Sequence, residues 1–226
     1  MQVAWLETSV GQSLLKQEQQ LAGTVLDRVF GDQIIQVGNW GAPDLFLTQA
    51  RTQFAALLGD ELLSGVGAIV APQRLPVVTD SVDAVLLPHT LELGSEPHAV
   101  LREVHRVLRP DGKLIVLGFN PVSWWGIRHT LAPSGFPPGL RRQIPKRRLS
   151  DWLGLLNLNI ESVTGCYASA SAGRAGKLLR RWHWFASAYV LVATKETIPM
   201  TIIRPRVRHR PRLVGGLVNP STRNVV

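Results

Sequence analysis

The run from Leu75 to Phe119 constrains this chain more than any other feature, because it reads without a break as loop, buried strand, helix, tight turn and buried strand. Val82 to Leu87 is a short, nearly continuous apolar stretch rich in branched residues, as a strand covered on both faces requires. Val100, Leu101, Val104, Val107 and Leu108 then recur at helical spacing, while Arg102, Glu103, His105, Arg106 and Arg109 fall on the opposite, wet side. Ser95 is the candidate cap, with Glu96 and Pro97 suited to a first turn. The helix is predicted to stop at Arg109, since the residue before Pro110 is pushed out of the helical region and Asp111-Gly112 supplies a turn. Leu114 to Phe119 follows as a second buried strand. Strand, helix and parallel strand in this space make a right-handed βαβ crossover.

The same residues carry a resemblance. Leu75-Pro76, then Ser81-Val82-Asp83-Ala84-Val85, then Leu101-Arg102-Glu103-Val104-His105-Arg106-Val107-Leu108-Arg109-Pro110-Asp111-Gly112-Lys113-Leu114 are similar to the second half of the class I S-adenosylmethionine-dependent methyltransferases, specifically the type-11 methyltransferase domain. The resemblance implies an α/β, doubly wound, Rossmann-like and mostly parallel sheet with an antiparallel edge hairpin. It implies S-adenosyl-L-methionine as cofactor and a methyl acceptor that the residues do not identify.

Upstream, Leu14, Leu21, Val25 and Val29 approximate one face of an N-terminal helix, with Glu18 a polar break in that stripe. Ile34 to Gly38 is the first strand candidate, followed by Gly38-Asn39-Trp40-Gly41-Ala42. In the family that turn lets the backbone approach the cofactor, and an acid at the strand end fixes the cofactor's amino group. Here Gly38, Asn39 and Gly41 are the candidate contacts, Gln36 stands where the acid belongs, and Trp40 replaces a glycine. A branched side chain at Gly38 is accordingly expected to block the cofactor and leave the fold intact. Asp44 to Leu58 is expected to hold a short helix and then a strand through Phe54 to Leu58. Asp60 or Glu61 just beyond stands where the family holds the ribose hydroxyls. Val66 to Val70 is the next strand candidate. Ala71 falls where many relatives place an aspartate for the adenine, and Leu75 would help to form an apolar slot for the ring.

Leu87 and Pro88 end the central strand at its carboxyl end, where ligands bind in open parallel sheets. His89 follows as the candidate base near neutral pH, or as a hydrogen-bonded wall residue. Asn120, Trp124 and Trp125 either line an acceptor site or seal the sheet edge. Arg141-Arg142 and Lys146-Arg147-Arg148 precede a helix at Leu149 to Leu156. Strands at Asn159 to Tyr167 and Ala186 to Ala193 would form the edge hairpin, joined through a small-residue loop at Ser169 to Gly176.

Charge is unevenly divided. Residues 1–100 carry −7 and residues 101–226 carry +16, so any polyanion partner, nucleic acid included, would meet the second half. Arg204 to Arg212 alternates arginine with Pro, Val and His, and reads as the start of a disordered basic arm. The expected division is therefore 1–30 as a helical segment, 31–196 as the methyltransferase-like domain and 197–226 as the tail. Cys166, the single cysteine, excludes an internal disulfide framework, and no metal-ligand spacing surrounds it. With no membrane-length apolar run, a cytoplasmic protein is expected. Because displacement from a sulfonium needs orientation more than a covalent relay, no strict catalytic constellation need be visible. The contrasting expectation is a non-catalytic scaffold that kept the sheet and binds RNA or a protein.

Overall fold

The computed structural model describes residues 5–43, 45–59, 65–123, 126–127, 131, 137–166 and 186–196. Seven strands form one sheet: β1 (Gln33–Val37), β2 (Phe54–Gly59), β3 (Ala68–Ile69), β4 (Val82–Pro88), β5 (Leu108–Phe119), β6 (Leu158–Cys166) and β7 (Ala188–Lys195). Their order is β3-β2-β1-β4-β5-β7-β6. The first five are parallel, while β7 is antiparallel to both β5 and β6, which gives the expected edge hairpin. Among the described residues the helices are α1 (Ser9–Leu26), α2 (Thr90–Leu93), α3 (Pro97–Val107) and α4 (Lys146–Leu155).

Side chains alternate across a strand, so the central strands feed two cores. Val85 and Leu87 of β4 join Leu101, Val104, Leu149 and Leu153 from α3 and α4 on one face. Ala84 and Leu86 meet Leu14, Ala22 and Leu26 from α1 on the other. Burial on both faces is the reason β4 is apolar at nearly every position.

Several boundaries differ from those expected. The third helix ends at Val107, because Leu108 is already extended and pairs with Val82. Its N-cap is Glu96 with no side-chain cap bond, while the Ser95 carbonyl accepts from the Arg142 guanidinium. The basic run 146–148 is the first turn of α4 rather than a segment ahead of it. Between β1 and β2 the described residues hold only a three-residue 3₁₀ turn, Leu47–Gln49, and no α-helix. The segment is tied instead to α1, whose Gln19 Nε2 donates to the Leu45 carbonyl at 3.0 Å. The stripe of α1 also differs: its buried residues include Leu14, Glu18, Ala22 and Leu26, so Glu18 lies within the stripe instead of interrupting it.

No described helix is long and apolar enough to cross a membrane. The small-residue loop at Ser169 to Gly176 and the basic arm 197–226 lie outside the described residues.

Candidate active site

The chain leaves β1 toward β2 on one side and returns to β4 on the other, so the carboxyl ends of β1 and β4 form the switch point where open α/β sheets bind ligands. Both sequence motifs converge there. Gly38 has φ +98° and Gly41 φ +74°, a region that favours glycine. An added Cβ at Gly38 would lie 2.5 Å from Thr90 Oγ1, so the glycine loop and the turn after β4 are in direct contact. The Thr90 hydroxyl donates to the Val37 carbonyl and binds the two strand ends together. Asn39 lies against the end of β2, where a Cβ at Gly59 would meet its Oδ1 at 2.5 Å.

Gln36, at the acid position, is fully buried. Its Nε2 donates to the Gly38 carbonyl at 3.1 Å, and its Oε1 has no hydrogen-bond partner among the described residues. Buried polar atoms are nearly always paired, which sets this orphan acceptor apart.

Trp40, which replaces a glycine of the family loop, faces the interior. It is 2% exposed, and its indole N–H donates to Glu18 Oε2 at 2.8 Å. Its ring centroid lies 4.4 Å from that of His89.

His89 is fully buried, left-handed at φ 55°, and precedes α2. Its Nε2 lies 2.8 Å from Glu18 Oε1 and its Nδ1 3.0 Å from Glu92 Oε2, with Phe119 stacked at 4.0 Å. Burial acts to lower the imidazole pKa, but the Glu18 and Glu92 carboxylates outweigh it and push the value up to about 9. A carboxylate at each ring nitrogen thus favours the imidazolium form of His89. Glu92 is pushed up by burial, against the opposing effects of His89 and of the N–H groups of Phe119 and Ile144. The Cys166 thiol is also pushed up, first by burial and then by the Glu18 charge, so it stays protonated.

The other expected site residues separate into distinct groups. Leu87 and Pro88 are buried at the end of β4, beside the glycine loop. Leu75 is buried and Ala71 exposed in the loop after β3. Asn120 uses its side-chain oxygen to accept the Val122 N–H at 3.2 Å, which shapes its own turn. Asp60, Glu61, Trp124 and Trp125 lie outside the described residues.

Charged residues of the motif that carries the resemblance act as clamps. The Leu75 N–H donates to Glu103 Oε1 at 2.8 Å, and Arg106 Nη2 donates to the carbonyls of Leu75 and Val77. Arg109 bridges Asp83 and Asp32, and Asp83 in turn accepts the N–H groups of Asp32 and Gln33 at the start of β1. Arg106→Ala is expected to destabilise the protein by about 1–2 kcal/mol through these lost bonds. It should also raise amide exchange at Leu75 and Val77 selectively. Exchange that rises uniformly across the sheet instead would show that the loop is not held by this side chain.

Glu18 and Glu92 were not expected as site residues. The available signal was a carboxylate inside the apolar stripe of α1, which implies a buried partner without saying which.

A family model described as a methyltransferase domain matches residues 53–116. The uncharacterised protein YafS of Escherichia coli K12 is 31% identical over 199 residues, which cover 82% of this chain and 78% of YafS. A Thermotoga maritima S-adenosylmethionine-dependent methyltransferase superposes with a TM-score of 0.66 at 17% identity, over 85% of this chain and 94% of that one. Geranyl diphosphate methyltransferase in complex with S-adenosylmethionine superposes with a TM-score of 0.54 at 15% identity, over 84% and 92% of the two chains. At these identities the two structures speak for the fold. Together with the sheet order, these matches lead to one assignment: the chain carries a methyltransferase domain in the fold of the class I S-adenosylmethionine-dependent methyltransferases, and it belongs to one family with YafS.

Proposed function

We propose that this methyltransferase binds S-adenosyl-L-methionine across the carboxyl ends of β1 and β2, with Gln36, Gly38, Asn39 and Gly41 as its principal contacts. The observation that carries this reading is the orphan Gln36 oxygen beneath a turn whose two glycines have positive φ. A carbonyl oxygen there suits an ammonium donor, and the missing Cβ atoms leave the backbone approachable. Leu75, Leu87 and Pro88 fit as apolar wall, Ala71 and Asp60 as flanking positions, and Asn120, Trp124 and Trp125 as the acceptor side.

The cofactor, when bound, supplies a methyl group on a sulfonium, so transfer is an in-line displacement favoured by orientation and exclusion of water. Within this scheme His89 is a positioning residue. Its ring holds Glu18 of α1 and Glu92 of α2 together and fixes the end of β4, and with both nitrogens paired to buried carboxylates it turns neither toward a substrate. A single buried thiol suits a reducing compartment, and we place the protein in the cytoplasm.

Calorimetry with S-adenosylmethionine and its demethylated product tests the proposal. Gln36→Leu should weaken binding by about tenfold or more, the worth of a hydrogen bond to a charged group. The same change removes a buried unpaired acceptor and, against it, the Nε2 bond to the Gly38 carbonyl, so the two offset and thermal stability should change little. Absence of heat and of thermal shift with either ligand would sink the cofactor reading and leave a methyltransferase-like scaffold.

A further inference from the structure

On the α3/α4 side of the sheet lies an open cavity of about 490 Å³ whose charged lining consists of cations alone. Arg141, Arg142 and Arg148 surround it, with His98, Gln143 and Trp152 completing the wall and Ile144 below. No acid among the described residues forms an ion pair with any of the three arginines.

The backbone of the strap and the guanidinium groups of Arg142 and Arg148 are held in place. The backbone N–H groups of Arg141 and Arg142 both donate to the Glu92 carbonyl at 3.2 Å, and Arg142 Nη2 donates to the Ser95 carbonyl at 2.7 Å. The Arg148 guanidinium lies 5.9 Å from the centroid of the Trp152 ring, and His98 lies 3.9 Å from the same ring. Convergence at this spot runs against local helix electrostatics. The first turn of α4 contains Lys146, Arg147 and Arg148 and no acid, and its N-cap Pro145 makes no side-chain bond. A helix N-terminus favours anions, so cations there repel one another and the dipole, an arrangement that an anion would offset. Gln143, half-buried, lines the same cavity, and its Nε2 has no partner among the described residues.

We propose that this cavity is a binding site for the phosphate groups of a phosphorylated ligand, separate from the cofactor loop. Guanidinium forks match phosphate oxygens in pairs, and Gln143 provides a neutral donor beside them. Both His98 and Arg148 already lie against Trp152, so charge and hydrogen bonding hold the ligand rather than base stacking. The phosphates belong either to a small phosphorylated compound or to a nucleic-acid backbone, which offer the same oxygens.

The full-length chain is titrated calorimetrically with sodium pyrophosphate and, separately, with short single-stranded poly(U). Arg141→Gln/Arg148→Gln is compared with Arg28→Gln/Arg102→Gln, which removes equal charge from exposed positions outside the cavity. Pyrophosphate should bind the wild type and the control alike, and the cavity variant should lose about tenfold or more in affinity at unchanged melting temperature. Poly(U) binding that is tighter than pyrophosphate and falls in the cavity variant assigns the phosphates to nucleic acid. Tighter pyrophosphate binding assigns them to a small ligand. No pyrophosphate binding at millimolar concentration, or equal loss in the control, overturns the site.

Discussion

Replacing His89 with leucine should lower the unfolding free energy by about 3–5 kcal/mol at neutral pH, the penalty for leaving buried charges without their partner. Glu18 and Glu92 would then face each other across an apolar gap lined by Trp40 and Phe119, with no cation between them. The wild type should carry the corresponding pH signature. The folded pKa of His89, at about 9, exceeds its ordinary 6.5, so the stabilisation is fully present below pH 6.5 and is lost as pH rises through 9. The whole window is worth about 3 kcal/mol. Glu92 acts in the same direction, since its raised pKa means that the folded form binds the proton more tightly and loses that advantage as pH rises. Urea unfolding at pH 6.5 and at pH 9.5 should therefore differ strongly in the wild type, and His89→Leu should lose the part of that difference that His89 carries while keeping the part that Glu92 carries. Equal differences in the two proteins would show that His89 is not the titrating group.

Gly38→Val should unfold or severely destabilise the protein, by about 2–5 kcal/mol, rather than merely block a ligand. A valine at φ +98° is strained, and its Cβ would meet the Thr90 hydroxyl that ties the ends of β1 and β4 together. This reverses the expectation of an intact fold, because Gly38 packs against Thr90 of its own protein. Melting temperature decides the matter. A Gly38→Val protein that melts like the wild type yet gives no cofactor heat would restore the simple blocking account.

The division between sequence and structure follows the range of the interactions. Strand β4, helix α3 and the later part of β5 were legible because the period of a strand or helix is a local property, written within the elements themselves. The edge hairpin followed from the same local pattern joined to the family resemblance. Glu103, Arg106 and Arg109 were legible as wet-side residues, but their function as clamps on residues 75–79 and 32–33 depends on which loop the fold brings to them.

The site lay further out of reach. Gln36 and Trp40 in the sequence were departures from a pattern. Only their surroundings show that one offers an orphan oxygen and that the other turns its indole inward to Glu18. The pair Glu18 and His89 is separated by 71 residues, and no periodicity encodes which buried carboxylate meets which imidazole. Nor did the basic run at 146–148 announce a cavity, because charge along a chain does not say where a strap anchored on Glu92 will place two further arginines. Local pattern determined the elements of this protein. Which polar groups share one buried space, and hence their protonation and their vacancies, was decided by tertiary packing, since desolvation and pairing exist only where distant residues exclude water together.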